Sequence, residues 1–424
     1  MGGEWSTAPF GQLVENFDSI RVPVKEADRK PGRYPYYGAS GVVDHVDSYI
    51  FDGEYLLVAE DGENLKTRQT PIAFLATGKF WVNNHAHIVR ANANNDTRFL
   101  MYAMRVADIG SYLTGSTMPK LTQANMNRVP VVAPPLAQQR AIARILGALD
   151  DKIELNRKTN ATLEAMARAL FKSWFVDFDP VRAKAEGRAP SGMDAETAKL
   201  FPSEIVESEL GAIPKGWRAA SVGDCVTLKR GTTYKGMLVG EPGPALLGLG
   251  SIRPGGGFRS DGFKTYGGEC PPELMLRPGE LYVSLKGATK DGEMIGSVAR
   301  VPKTVPSGRL TQDTVKLEIQ NGRLPRFLYR LLLTPEYRTY CANRAMGSAV
   351  VALSREDFLS YPLTLPDAAV LQRFDTLLGS IEDRGEQNDA EHVELAKTRD
   401  FLLPRLLSGE LSVDAAERDV EAVA

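Results

Sequence analysis

The chain has 424 residues, 43% of them hydrophobic and 25% charged, with 51 basic against 53 acidic side chains. That length leaves room for two to four domains with their own cores, at an ordinary globular composition. No run approaches the roughly 18 apolar residues of a bilayer-spanning helix, the first residues lack a basic-then-apolar signal, and Cys225, Cys270 and Cys341 are too scattered for a disulfide framework or zinc knuckle, so a reducing cytoplasm with no membrane is expected.

Residues 1–135 read as a mixed α/β head. Period-2 apolar runs at Tyr55–Val58 and His87–Val89 predict strands, punctuated by Asp52-Gly53, Asp61-Gly62 and Gly78. A short helix is expected over Phe99–Val106, followed by the Gly115-Ser116-Thr117 loop. Pro134-Pro135 then sets a hard stop before the next element.

Residues 136–176 carry a 4-3 apolar repeat. One position holds Ile142, Leu149, Asn156, Leu163 and Leu170, the other Leu146, Ile153, Asn160, Ala167 and Trp174. Such a seam without proline predicts a long coiled-coil helix, about 60 Å at 1.5 Å per residue, that needs a partner to cover it. Residues 177–210, rich in Ala, Glu, Lys and Pro, read as a linker with one short helix. A second head is expected over 211–366, with strands at Glu280–Leu285 and Thr314–Ile319 and a flexible loop at Gly255-Gly256-Gly257. A second long helix is expected over 367–408, weakened where Arg384 and Gly385 interrupt the seam, and an acidic, disordered tail over 409–424.

The chain repeats itself. At an offset of 232, Gly115-Ser116 falls on Gly347-Ser348, Leu121 on Leu353, Pro130 on Pro362, Ile142 on Phe374, Leu146 on Leu378, Leu149 on Ile381, Asn156 on Asn388, Leu163 on Leu395 and Leu170 on Leu402. At 212, Trp5, Gly11 and Val14 fall on Trp217, Gly223 and Val226; at 228, Asn84, His85 and Phe99 fall on Gln312, Asp313 and Phe327. A period this long is a duplicated head plus helix. The seam then consists of Ile142, Leu146, Leu149, Ile153, Asn156, Asn160, Leu163, Leu170 and Trp174, facing Phe374, Leu377, Ile381, Asn388, Leu395 and Leu402. Its asparagines suggest positions that fix register at some cost in stability.

Charge is divided unevenly: residues 211–365 hold 21 basic against 13 acidic side chains, residues 366–424 hold 6 against 14. A polyanion suits the second head and not the last helix. Enzymatic signatures are missing. Neither Pro-Pro pair sits in the Asn/Asp-Pro-Pro-aromatic tetrad of a DNA methyltransferase, and there is no phosphate loop of the Gly-x-x-x-x-Gly-Lys type. Ser284-Leu285-Lys286 lacks a nuclease carboxylate, and His85-Ala86-His87 suggests hydrogen bonding or packing more than a metal. The chain reads as a binder.

The stretches Pro134-Pro135-Leu136-Ala137-Gln138-Gln139-Arg140, Leu149–Asn156, Leu170–Phe175 and Phe401–Leu411, with Tyr36–Gly41 and Asn83–Val89 in the first head, resemble the specificity subunits of type I restriction–modification systems over nearly the whole chain. The resemblance implies an α+β fold: two α/β target recognition domains in pseudo-twofold arrangement, joined by two long antiparallel coiled-coil helices. It implies a non-catalytic subunit that binds an asymmetric bipartite site on double-stranded DNA, one half per domain, with the coiled coil as spacer. The partners would be two modification subunits that methylate adenine, and restriction/translocase subunits. S-adenosylmethionine, ATP and Mg would be held by those partners and no cofactor or metal by this chain. The alternatives are the recognition module of a related phage-defence methylation system, and a scaffold protein that does not read sequence.

Base readout favours Arg or Lys for guanine and Asn or Gln for adenine, on loops at equivalent places in the two heads. The candidates are Lys79, Asn83, Asn84, His85, Thr117 and Lys120 in the first head, and Arg309, Thr311, Gln312, Ser348, Lys229, Arg230, Lys235, Lys286 and Lys290 in the second.

Overall fold

In the first head Pro9 pairs with Pro130, and in the second Ser221 pairs with Pro362, each within a short antiparallel ladder. The partners stand 212 and 232 residues apart across the repeat, so the two offsets meet in one structural feature. Each ladder places the beginning of a head beside its end, where the chain leaves for a long helix. The computed structural model describes residues 5–287, 292–320, 322, 324–347 and 351–421. The chain divides into two units, one of residues 1–156 with 391–424 and the other of residues 157–390.

The first head is a six-stranded sheet in the order Val14–Asn16, Ala86–Ala91, Phe51–Ala59, Ala73–Val82, Pro31–Gly38 and Gly41–Val46. Alternation along Phe51–Ala59 serves two cores. Leu56 and Val58 are buried with Phe99 and Leu100 of the helix Thr97–Val106, while Leu57 and Phe51 are buried with Phe80 and Ile88. Asp96 caps that helix by accepting from the Phe99 amide at 2.9 Å.

The second head repeats four of these strands, in the order Val226–Arg230, Val315–Ile319, Leu281–Val283 and Val298–Arg300. The registers agree residue by residue. Val14 pairs with Ala91 and Val226 with Ile319; Leu56 pairs with Val89 and Leu281 with Leu317. The offset between equivalents therefore steps from 212 (Val14 to Val226) through 225 (Leu56 to Leu281) and 228 (Val89 to Leu317) to 232. Most of the second head's extra length lies between Arg230 and Leu281. There Ala245–Leu247 and Met275–Leu276 flank Gly308–Leu310 in a further three-stranded sheet with its own small core. The Gly255-Gly256-Gly257 segment takes positive φ throughout, yet it is tied: Gly257 donates to Val298 O and accepts from Arg253 N. It is a pinned turn and not the flexible loop expected.

The two long helices are Leu136–Phe175 and Ala368–Ser408. In each unit the portions present run antiparallel. In the first, Asp150 pairs with Arg399 and Asn156 with Glu391; in the second, Asn160 pairs with Asn388, and Phe171, Trp174 and Phe175 surround Phe374. Of the seam residues, Ile142, Leu146, Leu149, Asn156, Trp174, Phe374, Asn388, Leu395 and Leu402 are buried, while Ile153, Asn160, Leu163, Leu170, Leu377 and Ile381 are half-buried. Leu378 is fully buried, so it and not Leu377 is the seam residue of that turn, as the 232 offset requires. The second helix runs unbroken through Arg384 and Gly385, and Gly385 O accepts from Asn160 Nδ2 of the facing helix.

Two further expectations are corrected. Residues 177–210 are not a linker: they form the helices Asp179–Ala185 and Ala195–Lys199, and Phe178, Val181 and Phe201 are buried in the core of the second unit. Nor are the described residues of the acidic tail disordered. Val413–Glu421 is a helix whose Ala416 is fully buried in the core of the first unit, with Glu417 paired to Arg144.

Candidate nucleic-acid interface

At one end of the first head's sheet three segments converge. The strand Phe51–Ala59 runs on into Glu60-Asp61-Gly62, the turn Asn83–His85 joins the two strands that flank it, and the Gly-Ser loop closes on itself where Thr114 and Lys120 exchange backbone hydrogen bonds of 2.8 Å each. Gly62 N donates to Pro119 O at 3.1 Å and Leu121 N to Glu60 O at 2.8 Å. The second head repeats all four bonds. Gly287 N donates to Val351 O at 2.7 Å, Leu353 N to Leu285 O at 2.8 Å, and Met346 and Ala352 exchange bonds of 2.9 and 3.0 Å. Offsets of 225 and 232 map each of these residues onto its counterpart. The frame is made of backbone, so it leaves side chains free to differ.

They do differ. In the first head His85 Nδ1 lies 2.8 Å from Asp61 Oδ2. In the second, Lys286 Nζ lies 3.0 Å from Asp313 Oδ1. Asp61 corresponds to Lys286 and His85 to Asp313, so a carboxylate and a basic side chain pair at the same two places in both heads, with the polarity of the pair reversed. Beneath it the first head is polar. His87, fully buried, turns Nδ1 to Asp18 at 2.6 Å and Nε2 to Leu121 O at 2.7 Å, while Glu60 takes Arg21 and Lys120. Burial opposes ionisation of Asp18, but the His87 hydrogen bond and charge, the Ile88 amide and Arg21 outweigh it and hold the carboxyl below its ordinary value. Burial likewise opposes ionisation of Glu60, and Arg21, His87 and Lys120 overcome it. At the corresponding level of the second head stand apolar Leu285, Val315 and Leu353.

The candidates separate accordingly. Asn84, His85, Thr117 and Lys120 are exposed around the first frame, and Arg230, Gln312 and half-buried Lys286 around the second. Lys79 is exposed farther along its strand, with its ammonium 4.7 Å over the Tyr49 ring. Lys235 is exposed and Lys229 half-buried. Three candidates are structural. Asn83 is buried and accepts from the His85 amide, fixing the turn. Arg309 is buried, its guanidinium spent on Glu269 O, Leu310 O, Thr232 and Thr233 O. Thr311 is buried beside Thr314. Arg309 and Thr311 were expected in an open loop because the further sheet at Gly308–Leu310 was not foreseen. Lys290 and Ser348 lie outside the described residues. Asp61 and Asp313 were missed, since a search for cationic and amide readers passes over carboxylates.

Neither imidazole of His85-Ala86-His87 joins a ligand set, and the described residues contain no group of three or more His, Cys, Asp or Glu that could hold a metal. Among them, no helix is long and apolar enough to cross a membrane.

A family model described as "Type I restriction modification DNA specificity domain" matches residues 3–165. The chain is 26% identical over 427 residues to the "Type I restriction enzyme HindI specificity subunit" of Haemophilus influenzae, covering 85% of this chain and 84% of that one. It is 24% identical over 379 residues to the "Type I restriction enzyme MjaIX specificity subunit" of Methanocaldococcus jannaschii, covering 85% and 80%. The crystal structure of the type I restriction–modification system S subunit from M. genitalium has the same fold, with a TM-score of 0.62 at 14% identity over 95% of this chain and 96% of that chain.

Proposed function

The chain belongs to the specificity subunits of type I restriction–modification systems, and from that premise we propose that each head reads one half of an asymmetric, bipartite site on double-stranded DNA. The observation that carries the proposal is the shared backbone frame with unlike side chains. Equal registers give both heads one way of presenting loops to a duplex, and unequal chemistry at the loops gives them different sequences to read. Asn84 and Gln312, both exposed at the tip of the same turn, suit adenine; Lys120 and Arg230 suit guanine or phosphate.

In this reading the chain is non-catalytic. Two modification subunits supply S-adenosylmethionine and methylate adenine, restriction/translocase subunits supply ATP-driven and Mg-dependent steps, and the long helices set the unread spacer. Binding weakens steeply with salt as phosphate counterions are released.

Sequencing the methylated sites in cells that carry this chain with its modification subunit tests the reading. The expected result is two unlike half-sites at fixed separation, with replacement of residues 211–366 changing one half and Asn84→Ala relaxing only the other. A continuous motif, or a head exchange that rewrites both halves, would overturn it.

A further inference from the structure

The reversed ion pair is placed where stability does not explain it. The His85 side chain is 52% exposed and that of Asp61 20%; Lys286 and Asp313 are 42% and 33% exposed. Ion pairs this wet add little to folding. Yet both heads put a basic side chain and a carboxylate on the same two backbone positions, inside the same set of four main-chain hydrogen bonds. One position follows the strand that ends at Ala59 in the first head and corresponds to Lys286 in the second; the other ends the turn before the neighbouring strand.

A donor and an acceptor held about 3 Å apart have a natural complement in a duplex. On the major-groove edge of a C·G pair the cytosine N4 amine is a donor and guanine O6 and N7 are acceptors. N4 and O6 are themselves hydrogen-bonded at about 2.9 Å, the spacing of an ordinary N–H···O bond. A carboxylate that already accepts one bond keeps lone pairs for the free N4 hydrogen, and an ammonium keeps two further donors for O6 or N7. The ion pair can therefore meet the base pair edge to edge without either coming apart. Lys286 with Asp313 fits this directly. His85 contacts Asp61 through Nδ1, and Nε2 has no protein partner among the described residues; with both ring nitrogens protonated, its Nε2–H is a donor that guanine O6 or N7 can accept.

We propose that Asp61 with His85, and Asp313 with Lys286, each read one C·G base pair, with the carboxylate on cytosine and the cation on guanine. Because the polarity is reversed on a common frame, the two heads take that pair in opposite strand orientation, each in its own frame. The inference rests on the reading that each head recognises one half-site. It adds which side chains select, and which base pair.

The test uses the complex of this chain with its modification subunits, supplied with a randomised library of targets whose methylated members are sequenced. Asp313→Asn keeps shape and removes the pure acceptor, and should relax one C·G position of one half-site by roughly tenfold or more, leaving every other position unchanged. Asp61→Asn should do the same in the other half-site only. The exchange Lys286→Asp with Asp313→Lys should convert that position from C·G to G·C, a readout that a structural role would not produce. Melting temperatures of all variants should match the parent. The proposal is overturned if a parental half-site contains no C·G pair, if the asparagine variants leave the motif intact, or if they lower methylation evenly at all sites. A parental motif that is not divided between the heads would instead sink the half-site reading, and this inference with it.

Discussion

Asn388 donates its side-chain amide to Oδ1 of Asn160 over 2.8 Å in the seam between the two long helices. Asn388 is 1% exposed, and Asn160 turns its own amide to Asp389 Oδ1 at 2.7 Å and Gly385 O at 3.1 Å. The offset of 232 pairs Asn156 with Asn388 as repeats; antiparallel packing pairs Asn160 with Asn388 as neighbours. Asn160→Leu removes a partner from a buried amide and should cost about 1–3 kcal/mol in urea unfolding. Replacing both residues by leucine should recover part of that loss, because the buried Asn388 amide is then gone, while relaxing the register that the pair enforces.

Arg330 is 5% exposed at its side chain, donates to both oxygens of Glu164 at 2.8 and 2.7 Å, and lies 3.5 Å from Glu382. Glu382 also takes Arg300 at 2.6 Å and Arg326 at 2.7 Å. Burial opposes ionisation of Glu164, and the charges and hydrogen bonds of Arg330 and Arg168 together outweigh it. Arg330→Met should destabilise the second unit by about 3 kcal/mol, toward the lower end for a broken buried pair because Glu382 retains two cations. Equilibrium unfolding measures this, and a loss below 1 kcal/mol would show that water already screens the network.

Acid should act on the first unit through Asp18 and Glu60. Both carboxyls are held below their ordinary values of 3.8 and 4.5. A lowered carboxyl contributes stability above its unfolded value, and the contribution is lost as pH falls through the folded value. Melting temperature should therefore decline from about pH 4.5 downward, and Asp18→Asn should lower it at neutral pH while flattening the acid decline.

Removing residues 412–424 should lower the stability of the first unit by on the order of 1–2 kcal/mol, since it uncovers the surface that buried Ala416 and half-buried Val413 occupy. Arg144→Ala should cost much less, because its pair with Glu417 is largely exposed. Thermal unfolding of the two variants separates packing from charge.

A matched deletion of residues 157–163 and 384–390 takes one heptad from each helix where they face each other through Asn160 and Gly385. Each helix loses roughly 10 Å, about three base pairs of duplex. The methylated motif should keep both half-sites and lose about three positions between them; an unaltered gap would count against the helices as spacer.

The long helices were legible because a seam repeated over five heptads has no other use, and the duplicated frame was legible through the offsets of 212, 228 and 232. Leu377 was misplaced for a local reason: two adjacent leucines satisfy the same pattern, and only packing against the partner chooses Leu378. Arg309 looked like a reader because a sequence shows a guanidinium but not the carbonyls that surround it. The segment 177–210 looked like a linker because its apolar residues Phe178, Val181 and Phe201 are widely spaced, yet all three are buried in one core, Phe201 against Trp174 and Phe178 against Trp217. The carboxylates of the reversed ion pair were invisible until the two heads could be laid register upon register.

The division of the chain has a consequence for how it is made. The second unit is one continuous stretch, 157–390, whereas the first needs residues from both ends: Leu395, Leu402, Leu406 and Ala416 complete the core begun by Phe10, Leu56 and Ile142. During synthesis the head translated first must wait, with part of its seam bare, until residues 391–424 leave the ribosome, while the later one can close before it. Order of translation and order of completion are thus inverted, and the unfinished early half is the part that a nascent-chain chaperone would meet.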